Sequence, residues 1–235
     1  MNYFERLSSD VRFLEGLNSC MNCGVCTAIC PAAETYNYDP RVICNMVQTR
    51  DNAVIEDLLK SETIWYCGQC MSCRTRCPRG NTPGLLIQSL RSLSQELGFF
   101  TESEKGRQQL YIKRTVGQWI LDYGYCVWGT NITIDRHPEQ GPVWDWVLDN
   151  WNDIFEKTGG NYQKQGPGIL RKIPDETLQE LQRIFETTGG IDRFEKLEKY
   201  SELKAREMNL GFDDSLDNDY IKQISQITDK NHFHE

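Results

Sequence analysis

The chain has no long uncharged apolar stretch: no run approaches the roughly 18 residues needed to span a bilayer, so no membrane span is expected. It also shows little sustained alternation of apolar and polar residues, which leaves few candidate strands and points to an all-α protein. The first residues, Met-Asn-Tyr-Phe-Glu-Arg-Leu, contain neither a basic segment followed by an apolar one nor a twin-arginine pair, so the expected location is the cytoplasm. Histidine is scarce. Of the three, His137 precedes a proline while His232 and His234 sit in a polar segment, and none is assigned a role. Positive charge is also in deficit, with 26 Lys and Arg against 34 Asp and Glu, a net charge of −8. Apart from short clusters such as Arg74, Arg76 and Arg79 there is no basic patch, so nucleic acid is not an expected partner. Carboxylates are plentiful, but no motif singles one out for acid–base work.

Cysteine, by contrast, is abundant. Eight of the ten fall into two runs, Cys20, Cys23, Cys26, Cys30-Pro31 and Cys67, Cys70, Cys73, Cys77-Pro78, both reading C-x2-C-x2-C-x3-C-P. Steps of three let one tight loop present successive thiolates to corners of a cubane, while the fourth cysteine begins to leave the loop and proline fixes its exit. A tetrahedral zinc site is the plainer alternative, but it needs pairs of cysteines rather than runs of four closed by proline. Disulfides are disfavoured in a chain that shows no export signal. Two [4Fe–4S] clusters are therefore expected. In the bacterial two-cluster pattern the fourth cysteine ligates the other centre, which assigns Cys20, Cys23, Cys26 and Cys77 to cluster 1 and Cys67, Cys70, Cys73 and Cys30 to cluster 2. Such crossing ties two distant loops together and brings the centres close enough for stepwise electron transfer. Eight thiolates around two oxidised cores would add about four negative charges to an already acidic chain. The remaining pair, Cys44 and Cys126, reads as buried small hydrophobes.

Caps and apolar periodicity place helices along most of the chain. Ser9 or Asp10 can start one carrying Val11, Leu14 and Leu17; Asp39-Pro40 opens another with Ile43 and Val47; Val54, Ile55, Leu58 and Leu59 mark a third. Thr82-Pro83 begins the clearest helix, with Leu86, Leu90, Leu93 and Leu97 on one face and Gly98 beyond its end. Thr101 and Glu104 have the form of a capping box. Val127, Ile132 and Ile134 look extended, and a tryptophan-rich helix runs from Trp144 to Phe155. Ile154-Phe155-Glu156-Lys157-Thr158-Gly159-Gly160 is echoed by Ile184-Phe185-Glu186-Thr187-Thr188-Gly189-Gly190, two helix ends with a glycine stop. A further helix runs from Ile191 toward Met208. The expected organisation is a ferredoxin domain over 1–100, a helical extension over 101–212 that binds a partner, and a loosely held acidic tail over 213–235.

At the cysteine motifs the chain resembles the C subunits of heterodisulfide reductases and of the related sulfur-oxidising complexes, an α-helical ferredoxin family with two [4Fe–4S] clusters. The phrases that carry this are Cys23-Gly24-Val25-Cys26-Thr27, the segment Ser61 to Cys67 with Ile64-Trp65, and Cys77-Pro78-Arg79-Gly80. The resemblance covers roughly residues 10 to 100, and the longer C-terminal half looks more like the bacterial sulfur-oxidising type. The cysteine runs alone would also suit the iron–sulfur subunits of succinate or glycerol-phosphate dehydrogenases, but no plant-type [2Fe–2S] spacing precedes them. No adjacent Cys-Cys pair is present, so the cysteine-rich module of the family's B-type proteins is absent. The resemblance implies a non-catalytic electron-transfer subunit, wiring an A-type flavoprotein to a B-type cysteine-rich protein. Full cysteine ligation speaks against the rival reading, a self-contained disulfide or thiol oxidoreductase with an open iron, and the acidic surface speaks against a structural cluster in a nucleic-acid-processing protein.

Two finer expectations follow. Arg74, Arg76 and Arg79 flank the second run while no basic residue lies between Cys20 and Cys30, which either makes cluster 2 the more easily reduced or marks an ordinary solvated face, two readings of equal weight. Trp144, Trp146 and Trp151 do not fit one helix stripe; core packing is the default reading for them, and a face turned to a partner subunit is the alternative for at least one.

Overall fold

A computed structural model describes residues 2–226, so His232 and His234 lie outside the described residues. It is all-α: helices α1 Tyr3–Ser8, α2 Val11–Gly16, α3 Val25–Ala28, α4 Pro31–Thr35, α5 Pro40–Gln48, α6 Asn52–Lys60, α7 Pro83–Leu97, α8 Glu104–Arg107, α9 Gln109–Ile112, α10 Gln118–Tyr123, α11 Val143–Asp149, α12 Trp151–Lys157, α13 Asp175–Thr187, α14 Gly190–Glu207 and α15 Asp219–Ser225. No strand occurs among the described residues, and the stretch expected to be extended holds a single 3-10 turn, Gly129–Asn131. No helix is long and apolar enough to cross a membrane. The chain falls into two compact units, one built from the residues up to Leu110 and from Glu195 onward, the other from Tyr111–Phe194.

In the first unit α7 is the hub, with α1, α2, α5 and α6 packed on it. Leu86, Ile87, Leu90 and Leu93 supply its buried face, Pro83 its first turn, and Gly98, at φ 82°, its stop. Thr82 caps nothing with its side chain; instead its backbone N–H donates to the Gly16 carbonyl at 3.0 Å. There α2 crosses α7 backbone to backbone: a Cβ on Gly16 would lie 2.5 Å from the Leu86 nitrogen. Asp39 caps α5, accepting from the N–H groups of Arg41 and Val42 at 2.8 and 3.3 Å, while the Thr27 hydroxyl donates to the same carboxylate. In α2 it is Phe13 and Gly16 that turn inward, leaving Val11 and Leu14 exposed.

Two expectations fail in this unit. Thr101 and Glu104 form no capping box: the N–H groups of Glu104 and Lys105 are capped from a distance by the Glu62 carboxylate, and the Thr101 hydroxyl donates to the Gly98 carbonyl at 2.9 Å. Nor are the described residues of the tail, 213–226, loosely held. Asn218 caps α15 through the Ile221 N–H at 2.8 Å, and Tyr220, Ile221 and Ile224 are buried, three apolar side chains sufficient to anchor a short polar segment.

The second unit is built on aromatic rings. Tyr123 stacks on Trp128 with centroids 4.1 Å apart, and Trp119, Trp151, Phe155 and Tyr162 close around them. The expected tryptophan helix breaks at Asn150 into α11 and α12. The break lets Trp151 turn into the cluster while the Trp144 indole N–H donates to the Ile132 carbonyl at 2.7 Å and Trp146 points outward, 60% exposed. The sequence echo is a structural one. Thr158 and Thr188 donate their hydroxyls to Ile154 and Ile184 carbonyls, Gly159 and Gly189 take φ of 80° and 77°, and the rings of Phe155 and Phe185 pack where a Cβ on Gly160 or Gly190 would stand. Cys126 is exposed rather than buried: after the Gly124 stop of α10 it is Tyr125 and Trp128 that pack in the aromatic cluster, and Cys126 between them does not.

Gly16→Ala forces its methyl group against backbone that has no rotamer to yield, and it is expected to destabilise the protein by about 1–3 kcal/mol, read as a lowered thermal midpoint. Asp39 has its carboxyl held below the usual range, since hydrogen bonds from Arg41, Thr27 and backbone amides outweigh the opposing effect of burial. Its contribution is therefore present at neutral pH and lost as pH falls through that depressed value. Asp39→Ala should cost about 0.5–2 kcal/mol at pH 7, and the gap from the parent protein should shrink below pH 4 in denaturant melts.

Candidate metal centre

Two cavities open at the N-terminal end of α7. One, of about 340 Å³, is lined by Cys30, Cys67, Cys70 and Cys73 with Tyr36, Tyr38 and Tyr66. The other, drawn in to about 20 Å³, is lined by Cys20, Cys23, Cys26 and Cys77 together with Cys44, Arg41 and Arg79. Each wall thus takes three cysteines from one loop and one from the other. The exchange is possible because α7 starts between the cavities: Pro83 lines the second and Gly84 the first. A Cβ on Gly84 would stand 3.2 Å from the Met71 sulfur and 3.7 Å from the Cys73 Sγ.

The two loops share a backbone signature. Asn22 and Gly24 flank Cys23 with φ of 61° and 79°, and Gln69 and Met71 flank Cys70 with φ of 55° and 59°. Left-handed residues alternating with ordinary ones turn amides inward and make a concave nest suited to an anion. The Asn22 N–H already donates to the Cys20 Sγ at 3.4 Å. Helix starts add further donors, with the Ala32 and Ala33 amides at Cys30 and the Gly84 amide at Cys73.

Side chains from the surrounding helices fix the loops in place. Gln48 accepts from the Cys20 N–H at 2.6 Å and donates back to the Cys20 carbonyl at 3.3 Å. Asn81 accepts from Asn18 and Ser19 amides at 2.7 and 3.3 Å, and Asn45 donates to Asn22 at 2.8 Å. On the second loop Arg91 of α7 donates to the carbonyls of Ile64 and Cys67 at 2.6 and 2.7 Å. None of these anchors is marked by the cysteine pattern. Gln48 and Arg91 sit at polar positions on otherwise apolar helix stripes, the one signal that sequence offered.

Burial pushes the Cys26 thiol up to about 11 and raises Cys30 and Cys73, while the Ser72 hydroxyl lowers exposed Cys70. Burial keeps these thiols protonated, so ligation of iron is coupled to proton release. Buried Cys44 is raised too, by burial and by the nearby Cys20 and Cys26. The arginines fall differently from expectation. Arg79 lines the cavity of Cys20, Cys23, Cys26 and Cys77, where Arg41 joins it, and Arg74 and Arg76 are exposed. The three basic residues of the second run therefore do not concentrate on the second centre, because the chain between Cys73 and Cys77 passes from one cavity to the other.

The donor set fits a polynuclear core. Among the described residues no three His, Cys, Asp or Glu side chains converge closely enough to hold a single metal ion. Four thiols in each wall, drawn from runs of four cysteines closed by proline, are the donor set of an iron–sulfur cube. Fold and site thus define an α-helical [4Fe–4S] dicluster protein, and residues 16–81 match the 4Fe-4S dicluster domain family. The ferredoxin:CoB-CoM heterodisulfide reductase C subunit of Methanosarcina acetivorans is 32% identical over 200 residues, 83% of this chain and 70% of the relative. The C subunit of the H(2):CoB-CoM heterodisulfide,ferredoxin reductase of Methanothermobacter marburgensis is 28% identical over 74% of this chain and 76% of its own. An iron–sulfur C subunit of the CoB--CoM heterodisulfide reductase of Methanocaldococcus jannaschii is 27% identical over 54% of this chain and 62% of its own. The chain belongs to this family, the C subunits of heterodisulfide reductases, as an iron–sulfur electron-transfer subunit.

Gln48→Leu keeps the shape but leaves the Cys20 amide without its acceptor, which is expected to cost about 1–3 kcal/mol locally. The reconstituted variant should lose iron from one centre faster than the parent under chelator challenge.

Proposed function

We propose that this chain relays electrons through two [4Fe–4S] centres, one held by Cys20, Cys23, Cys26 and Cys77 and the other by Cys30, Cys67, Cys70 and Cys73. The relay runs between a flavoprotein on one side and a cysteine-rich catalytic protein on the other, within a heterodisulfide-reductase-like complex. The observation that carries this is the composition of the two cavity walls, each with four cysteines exchanged between loops. When bound, such clusters supply reversible one-electron transfer at low potential. The protein's own residues orient the thiolates, turn amides toward them and hold the two loops against α7. Eight thiols for two cubes leave no iron open to substrate, which favours a non-catalytic wire over a self-contained thiol oxidoreductase. Contact with partners is supported at the exposed edge formed by Cys23, Met21 and Val25 of the smaller cavity. For the region 101–212 it is supported by exposed Trp146, Val143, Ile169 and Ile184. Location in the cytoplasm, and disulfide reduction or sulfur oxidation as the partner's chemistry, are parts of the same proposal.

Iron content and electron paramagnetic resonance of reconstituted variants test the ligand sets. Cys77→Ser should disturb the same signal as Cys20→Ser, and Cys30→Ser the same signal as Cys67→Ser, whereas Cys44→Ser should keep both centres. Pairing of Cys30 with Cys20, or loss of a centre in Cys44→Ser, refutes the assignment. Native co-purification should recover a flavoprotein and a cysteine-rich protein, and substrate turnover by the isolated chain would overturn the relay role.

A further inference from the structure

Tyr38 lines the cavity of Cys30, Cys67, Cys70 and Cys73, is 4% exposed, and its buried hydroxyl has no nitrogen or oxygen partner in the protein and lies instead beside the Cys67 thiol. Buried polar groups are ordinarily paired, and an orphan one aimed at a ligand cavity calls for an acceptor there. A phenol is protonated at neutral pH, so the group is available as a donor. Beside it stands a second unusual group. Arg91 is partly buried, its guanidinium carbon 5.4 Å from the Trp65 ring centroid, and it donates only to neutral carbonyls, those of Ile64 and Cys67. No carboxylate forms an ion pair with it among the described residues. A cation shielded from water without an anion is costly, so this position too implies negative charge nearby. The other cavity is supplied differently: Arg41 is paired with Asp39 at 2.8 Å, and Arg79 is exposed.

We propose that Tyr38 and Arg91 set the potential of the centre held by Cys30, Cys67, Cys70 and Cys73: the Tyr38 hydroxyl donates a hydrogen bond to a sulfur of that centre, and Arg91 supplies its counter-charge, making it the more easily reduced of the two. The proposal rests on the ligand sets given above. Reduction adds one electron, taking cube plus four thiolates from −2 to −3; no bond forms or breaks, and both side chains keep their protons. A donor at sulfur and an unneutralised cation beside the Cys67 segment each favour the more negative state. The asymmetry orders the relay, with electrons resting on this centre and crossing the other in transit.

The test is a potentiometric titration with dithionite of the reconstituted full-length holo-protein, followed by electron paramagnetic resonance, for Tyr38→Phe, Arg91→Met and Arg91→Lys. Tyr38→Phe and Arg91→Met should each lower one and the same midpoint by tenfold or more in the reduction equilibrium, about 59 mV for one electron, with the other midpoint unchanged. Arg91→Lys, which keeps the charge, should recover most of the shift, which a purely structural role would not. Pulsed resonance in D₂O should show an exchangeable deuteron coupled to the reduced centre, absent in Tyr38→Phe. Unchanged midpoints, equal shifts in both centres, or a lysine variant no better than methionine would overturn the proposal. Cys30→Ser and Cys67→Ser serve as controls: if they abolish different signals the ligand sets fail, and if they abolish one signal while the shifts are absent, only the present proposal fails.

Discussion

Everything at the metal centre depends on one close approach, that of the end of α2 to the start of α7. Gly16 lies against the Leu86 backbone, Thr82 donates to the Gly16 carbonyl, and Asn81 gathers the amides of Asn18 and Ser19. These contacts press the chain just before Cys20 against the chain just after Cys77. The exchange of one cysteine between the two loops follows directly, since each loop's exit is held beside the other's nest. A side chain at residue 16 would push the segments apart, which gives this glycine a steric rather than a conformational reason to be there.

The loops are assembled against local preference. Gln69 and Met71 occupy left-handed backbone that costs such residues roughly 1–2 kcal/mol each, and burial of Cys26, Cys30 and Cys73 opposes the ionised form that metal ligation requires. What offsets these terms is the same geometry: inward-turned amides, helix starts at Cys30 and Cys73, and the iron itself. Strain at a site and the chemistry of the site are two sides of one arrangement.

Sequence made much of this legible. Spacing of three and terminal proline identified the cysteine runs, and Asp-Pro, Thr-Pro and the leucine stripe marked α5 and α7 where they occur. Asn22 and Gly24 are residue types that suit positive φ, so the first loop's shape was readable, whereas Gln69 and Met71 gave no such sign because tertiary packing, not propensity, holds them there. The remote cap from Glu62, the break at Asn150 and the burial of α15 were hidden for the same reason: each depends on a partner far away in the chain. The arginines misled because proximity in sequence to Cys73 and Cys77 spans two cavities, and Arg91, which does meet the second loop, lies 14 positions beyond Cys77.

The exchange of Cys30 and Cys77 also bears on how such a chain is made. A ribosome delivers Cys20 through Cys30 first, yet the wall they begin lacks its fourth member until residue 77 has emerged, 47 positions later. The first three thiols must wait, and Cys30 waits with them for a loop not yet synthesised. Two separate four-cysteine loops could each complete a wall on their own; this arrangement makes completion of either wall wait for the second loop.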